Sequence, residues 1–96
     1  MEVGLPGLVD LHVHSRDFAQ AYKEDFESCS RAAIAGGVVV ACAMPNYEPD
    51  LEVRPYNLQN MQNLHERARG RIYCDFGMWA AAQPHHDNVG DLEFIL

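Results

Sequence analysis

Basic residues are scarce in this chain of 96 residues, where 7 Lys and Arg stand against 14 Asp and Glu and the formal net charge is −7. Without a basic cluster, nucleic acid and anionic membrane surfaces are poor partners. No apolar run approaches the roughly 20 residues that a membrane span needs, and the amino terminus has no basic-then-apolar signal. An anionic substrate would have to be bound by arginines placed locally.

Cysteine is scarce as well. The three cysteines, Cys29, Cys42 and Cys74, are widely spaced in apolar stretches, and no C-x-x-C occurs. This pattern indicates reduced, buried thiols rather than a disulfide framework, as is usual in the cytoplasm. With 48% hydrophobic and 22% charged residues, the composition fits one small globular domain or a piece of a larger one. We therefore expect a cytoplasmic chain whose partners include neither nucleic acid nor a membrane.

Strand patterns and helix patterns alternate along the chain. This alternation predicts an α/β fold with a parallel sheet. Doubly wound sheets and (β/α) barrels both begin this way, and a complete barrel needs about 250 residues. The predicted elements are a strand at Leu8–His14, a helix at Tyr22–Ala35, a strand at Val38–Ala43, a helix beginning near Pro55, a strand at Arg71–Met78 and the first turns of a helix at Gly90–Leu96.

The stretch at 8–16, L-V-D-L-H-V-H-S-R, places two histidines at the end of a strand. Side chains two positions apart lie on the same face of a strand, so Asp10, His12 and His14 share one face. Imidazole is the commonest metal ligand and suits zinc. The pair could bind one metal ion, with Asp10 as a structural carboxylate beside it. A solvated or cross-strand histidine pair is the alternative, because H-x-H is a short motif.

The run P-G-L-V-D-L-H-V-H-S-R resembles the opening strand of the metal-dependent amidohydrolases, and of dihydroorotases in particular. Further segments follow in that family's order: K-E-D-F at 23–26, A-I-A-G-G at 33–37, M-P-N at 44–46 and D-F-G at 75–77. The resemblance is closest to the dihydroorotase domain of multifunctional pyrimidine-synthesis proteins, with allantoinase and dihydropyrimidinase as relatives. It covers nearly all of residues 1–96 and implies the amino-terminal βαβαβ portion of a (β/α)8 TIM barrel.

The resemblance also implies roles for four residues. His12 and His14 would ligate the more buried zinc ion of a pair, and Arg16, Asn46 and His14 would bind a substrate carboxylate. Arginine suits this role because its planar fork of donors matches a carboxylate. The implied reaction interconverts dihydroorotate and N-carbamoyl-aspartate in pyrimidine biosynthesis. Without the resemblance, Arg16 would be a surface cation and Asn46 a turn residue.

Other parts of the family's site are missing from this sequence. The family's bridging carboxylated lysine, two further metal histidines and catalytic aspartate lie on later strands, and the only lysine here, Lys23, stands at a helix start. We therefore expect an amino-terminal fragment with no catalytic residue of its own, an incomplete zinc site and no activity alone. Its partners would be a cyclic amide with a carboxylate, and the rest of the barrel or other pyrimidine-pathway domains.

Two alternatives stay open. The family's E-P-G turn is replaced by Asp17-Phe18-Ala19, which favours a non-catalytic, degenerate module with a structural or assembly role. An allantoinase- or dihydropyrimidinase-type cyclic amidase is the other alternative. The cluster His85-His86-Asp87 resembles a metal site in composition, but adjacent loop residues seldom converge on one ion, so we expect a solvated loop there.

Overall fold

Strands and helices alternate in the computed structural model of the chain, which describes residues 1–83 and 88–90. Three parallel strands form one sheet whose spatial order follows the chain order. This confirms the predicted α/β class, and the arrangement agrees with the first part of a TIM barrel. The elements are β1 (Leu8–Val13), α1 (Phe26–Ala35), β2 (Val38–Ala43), α2 (Leu58–Ala68) and β3 (Asp75–Met78), with 3-10 turns at Phe18–Gln20 and Leu51–Val53.

Both helices begin later than the sequence pattern predicts. The prediction that the first helix starts at Tyr22 is wrong, because Asp25 caps α1: its Oδ1 accepts from the Ser28 N–H at 2.7 Å, and the Ser28 hydroxyl accepts from the Asp25 N–H at 3.0 Å. This reciprocal pair is a capping box, which ends the preceding turn and starts the helix. Asn57 is the N-cap residue of α2, as Asp25 is of α1, so Pro55 lies before the helix and not in its first turn.

The third strand is shorter than predicted, since it begins at Asp75 and not at Arg71. The Arg71 N–H donates to the Ala68 carbonyl at 3.0 Å, and the Tyr73 N–H donates to the Ser30 hydroxyl at 3.1 Å. These groups are therefore turned away from β2 and cannot join the ladder. The predicted helix at 90–96 lies, apart from its first residue, outside the described residues.

The core is an aromatic cluster that joins both helices to the loops after the strands. Phe26 and Tyr47 are buried with their ring centroids 6.2 Å apart, and Phe76 of β3 lies 5.6 Å from Phe26. The Phe26–Tyr47 pair is edge-to-face and the Phe26–Phe76 pair is tilted, and aromatic contacts at such distances add to the stabilisation that burial provides. The other core members are Leu64 and Ala68, with Phe18, Val53, Ile72 and Met78 packed against them. The cluster thus anchors the chain segments that follow β1 and β2.

Strand β1 is an edge strand in the described part of the chain, because it pairs with β2 alone. Its side chains are unusually exposed for an aliphatic strand: Leu8, Val9 and Leu11 keep 58–59% of their accessible surface. An exposed apolar edge is a site at which another strand can pair. Neither helix of the described residues is long and apolar enough to cross a membrane.

Candidate metal and carboxylate site

The strand that carries the histidines contains a bulge. Asp10 pairs with Ala41 and Val13 pairs with Ala43, so the two β1 residues between, one of them His12, lie opposite a single residue of β2. A bulge of this kind bends the strand and redirects side chains. Strand β1 ends at Val13, one residue earlier than predicted.

The two imidazole rings lie side by side at the end of β1. The centroids of His12 and His14 are 5.2 Å apart in an edge-to-face arrangement, and both residues are exposed. The Oδ1 of Asp10 accepts from the His12 backbone N–H at 3.0 Å, so this carboxylate has a structural role in the strand. The rings are close enough for their nitrogens to contact one metal ion.

A hydrogen bond joins the histidine strand to the loop after β2. His14 Nδ1 lies 3.0 Å from Oδ1 of Asn46, although the two residues are 32 positions apart in the chain. They meet because the carboxyl ends of neighbouring parallel strands lie at one edge of the sheet, where barrel active sites are built. The structure thus brings His12, His14 and Asn46 into one cluster.

Arg16 lies two residues after the histidines and is half-buried. Its Nη1 donates to Oε1 of Gln20 at 3.2 Å, and Nε2 of Gln20 donates to the Glu48 carbonyl at 2.6 Å. The guanidinium is therefore held through Gln20 to the loop that follows Asn46. An arginine has five N–H donors, and one bond in the described part of the chain leaves donors for an anion.

Asp17 is a buried residue whose importance the sequence reasoning missed. Its side chain has 0% exposure, and it accepts from the Phe18 and Phe26 backbone N–H groups and from the Arg67 and Arg71 guanidiniums at 2.6–3.1 Å. Burial raises the pKa of Asp17, but the two backbone donors and the two guanidiniums outweigh burial and lower its pKa below 3.8. The sequence contained one signal of this role, namely the arginines Arg67 and Arg71, which lie four residues apart in the last turn of α2 and just after that helix.

The turn around this carboxylate has an unusual backbone. Arg16, Asp17 and Phe18 have φ angles of 60°, 86° and 52°, although none is glycine. The left-handed region costs an L-residue roughly 1–2 kcal/mol. The hydrogen bonds of Asp17 offset this cost, and the turn directs the chain from β1 towards α1.

Trp79 is a second residue that the sequence reasoning left without a role. Its backbone N–H donates to the Ala43 carbonyl at 3.1 Å, and its indole N–H donates to the Leu11 carbonyl at 2.9 Å. The Leu11 carbonyl lies in the β1 bulge, so the indole provides a partner for a group that the bulge has displaced from the ladder. Trp79 therefore ties the end of β3 to both other strands beside the histidines.

The two histidines are the type of residue that binds zinc, but two residues are fewer than a zinc site needs. Imidazole nitrogen suits zinc, and catalytic zinc usually has three protein ligands. Within residues 1–83 and 88–90, no group of three or more His, Cys, Asp or Glu could hold a metal ion. His12 and His14 would thus supply only two of the ligands that such a site needs. The prediction of a solvated loop at 85–87 lies outside the described residues.

The chain is similar in sequence to one protein family and to several known proteins. The family described as "Dihydro-orotase-like" matches residues 2–83. The chain is 37% identical over 87 residues to the multifunctional protein CAD of Squalus acanthias, covering 91% of this chain and 4% of that protein. It is 40% identical over 77 residues to a dihydroorotase of Pyrococcus furiosus, covering 80% of this chain and 18% of that protein. It is 40% identical over 89 residues to an allantoinase of Saccharomyces cerevisiae, covering 92% of this chain and 18% of that protein.

Proposed function

Because this chain belongs to the dihydro-orotase-like family, we propose that it carries the first part of the active site of a zinc-dependent cyclic amidohydrolase. The observation that supports this most strongly is the 3.0 Å contact between His14 and Asn46, which joins a metal-ligand candidate to a carboxylate-binding candidate. For the complete protein we propose the interconversion of dihydroorotate and N-carbamoyl-aspartate, as a step of pyrimidine biosynthesis in the cytoplasm.

Each residue of the cluster has a distinct task in this proposal. His12 and His14 would hold a zinc ion. A bound zinc ion supplies Lewis-acid polarisation of the amide carbonyl and a nucleophile at neutral pH. Arg16 binds the substrate carboxylate as a cation with a planar fork of donors. The Oδ1 of Asn46 contacts His14, and its Nδ2 donates to the same substrate carboxylate. Together Arg16 and Asn46 would orient the substrate ring towards the histidine pair.

The local positive charge of Arg16 matters because the chain as a whole carries a net charge of −7. A dihydroorotate anion would be repelled by this field unless a cation lay at the binding position. The choice of a substrate with a free carboxylate therefore rests on Arg16. We propose that the remaining ligands and the catalytic acid or base come from the rest of the barrel, since this chain spans 4–18% of the relatives named above.

Zinc affinity tests the metal site directly. We expect the purified chain to bind zinc weakly, and His12→Ala and His14→Ala each to lower the affinity at least tenfold. His65→Ala is the matched control, because His65 is an exposed histidine of α2 and its loss should leave the affinity unchanged. Wild-type affinity in both of the first two variants would refute the metal site. With zinc and dihydroorotate, the chain alone should show no turnover.

Allantoin-type hydrolysis is the second candidate, favoured by the 40% identity to the yeast allantoinase. Allantoin has no carboxylate, so it gives Arg16 no anionic partner. We expect the zinc-loaded chain to bind dihydroorotate in preference to allantoin, and Arg16→Ala to remove this preference. Equal binding of both compounds would favour the allantoinase-type reaction. Binding of neither would favour a non-catalytic module with an assembly role.

A further inference from the structure

We propose that Asn46 is a positioning residue for the metal ligand His14, in addition to binding substrate. In this role Asn46 holds the neutral imidazole of His14 in the tautomer that carries its proton on Nδ1. The nitrogen left to bind a metal ion is then Nε2. The inference rests on the proposed metal site at His12 and His14, and it extends that site to a residue in the loop after β2.

The chemistry of the two side chains determines the tautomer. A neutral imidazole has one N–H donor and one acceptor nitrogen, and an amide oxygen can only accept. The contact of 3.0 Å between His14 Nδ1 and Asn46 Oδ1 therefore needs the proton on Nδ1. Which nitrogen of a histidine binds a metal is set by the hydrogen bond that the other one makes.

Asn46 is well placed to hold a ring in a fixed orientation. Two residues before it, the Met44 N–H donates to the Val13 carbonyl at 2.8 Å, so the start of the loop is tied to the end of β1. The next residue, Tyr47, is 2% exposed and lies in the aromatic core. The loop is thus anchored on both sides of Asn46, and the His14 ring is oriented by a rigid partner.

His12 provides a comparison within the same chain. Its ring contacts the His14 ring edge-on, but the described residues give it no side-chain hydrogen bond like that of His14. We therefore expect a fixed tautomer at His14 and a mixture at His12. Because Oδ1 of Asn46 contacts His14, its amide nitrogen Nδ2 points away from His14. The Asn46 side chain therefore links metal binding, through Oδ1, to carboxylate binding, through Nδ2.

Long-range ¹H–¹⁵N NMR of the metal-free chain at pH 8.5 reports the tautomer directly, because the two ring nitrogens differ in chemical shift according to which one carries the proton. Wild-type His14 should carry its proton on Nδ1. Asn46→Leu keeps the approximate size and removes the acceptor, so His14 should change to a mixture, whereas Asn46→Asp should preserve the Nδ1–H form. Asn63→Leu on α2 is the control. A proton on Nε2 of wild-type His14, or no change in Asn46→Leu, would overturn the proposal.

Zinc affinity gives an independent readout. Loss of a residue that orients a metal ligand typically lowers metal affinity 10–100-fold, and we expect at least tenfold for Asn46→Leu and near wild-type affinity for Asn46→Asp. Asn46→Ala is a second test without added bulk, in case the leucine variant does not fold. If neither His12→Ala nor His14→Ala lowers the zinc affinity, the metal site itself is wrong. If His14→Ala weakens binding and both Asn46→Leu and Asn46→Ala stay within twofold of wild type, only the positioning role is wrong.

Discussion

Replacing Asp17 by Asn keeps the size of a buried side chain but turns one of its two acceptor oxygens into a donor. Oδ1 accepts from the Phe18 N–H at 2.8 Å and from Arg67 Nε at 2.6 Å, and Oδ2 accepts from the Phe26 N–H at 3.1 Å and from Arg71 Nη2 at 2.8 Å. Each oxygen thus has one backbone donor and one guanidinium. Either orientation of the Asn amide places an NH2 group against two donors.

The expected cost follows from these contacts. Removing one partner of a buried ion pair typically costs about 3–5 kcal/mol, but Arg67 and Arg71 keep 43% and 31% of their side-chain exposure and can be rehydrated. We therefore expect Asp17→Asn to lower the free energy of unfolding by about 3 kcal/mol at pH 7. A domain of this size has about 5–15 kcal/mol in total, so the loss is large.

Urea unfolding followed by fluorescence measures the effect, because Trp79 is the only tryptophan. With a slope of about 1–3 kcal/mol per M urea, the midpoint should fall by about 1–3 M. Asp75→Asn is the matched control, since it makes the same charge change at an exposed position and should stay within about 0.5 kcal/mol. A loss below about 1 kcal/mol in Asp17→Asn would refute the role of Asp17.

The pH dependence tests the same residue. The folded-state pKa of Asp17 is lower than its ordinary value of 3.8, so the unfolded chain takes up the proton first. The ionised carboxylate therefore stabilises the fold above about pH 4, and this contribution is lost as the pH falls through the folded-state pKa. The difference between wild type and Asp17→Asn should shrink towards pH 2. A difference that stays constant from pH 7 to pH 2 would contradict the ionised, buried state.

Two further predictions concern packing and thiol reactivity. Gly7→Ala should lower the free energy of unfolding by about 1–3 kcal/mol, because a Cβ at Gly7 would overlap the Val39 side chain. Gly4→Ala is the control and should be neutral, because the space around Gly4 is open. Rescue of Gly7→Ala by Val39→Ala would support this cause, and equal stability of the two glycine variants would contradict it. Burial raises the pKa of the Cys29 thiol from 9.0 to about 11. In a variant without the other two cysteines, iodoacetamide at pH 8 should therefore alkylate Cys29 about 100-fold more slowly in the folded chain than in the chain unfolded by urea. Equal rates in the two states would refute the burial of Cys29.

Local patterns predicted the order of elements well and their ends less well. The bounds of the strand Val38–Ala43 are confirmed residue for residue, because the run is uniformly apolar, starts with three β-branched residues and lies between a glycine pair and a proline. The strand is not buried on both faces as expected, since Val39 keeps 43% of its accessible surface. The start of α1 was predicted too early, because carboxylates at Glu24 and Asp25 suit a first turn and a cap alike. The reciprocal bond between Asp25 and Ser28 decided between the two.

By itself, the sequence determined the α/β alternation, the histidines at the end of a strand and the family resemblance that singled out Arg16 and Asn46. Only the tertiary structure placed Asn46 against His14 and the Trp79 indole on the β1 bulge, since these contacts join residues 32 and 68 positions apart. Spacing along a chain reports which side chains share an element and a face. Which loops meet at the end of a sheet depends on strand register, bulges and buried ion pairs, and these form only when distant segments pack together.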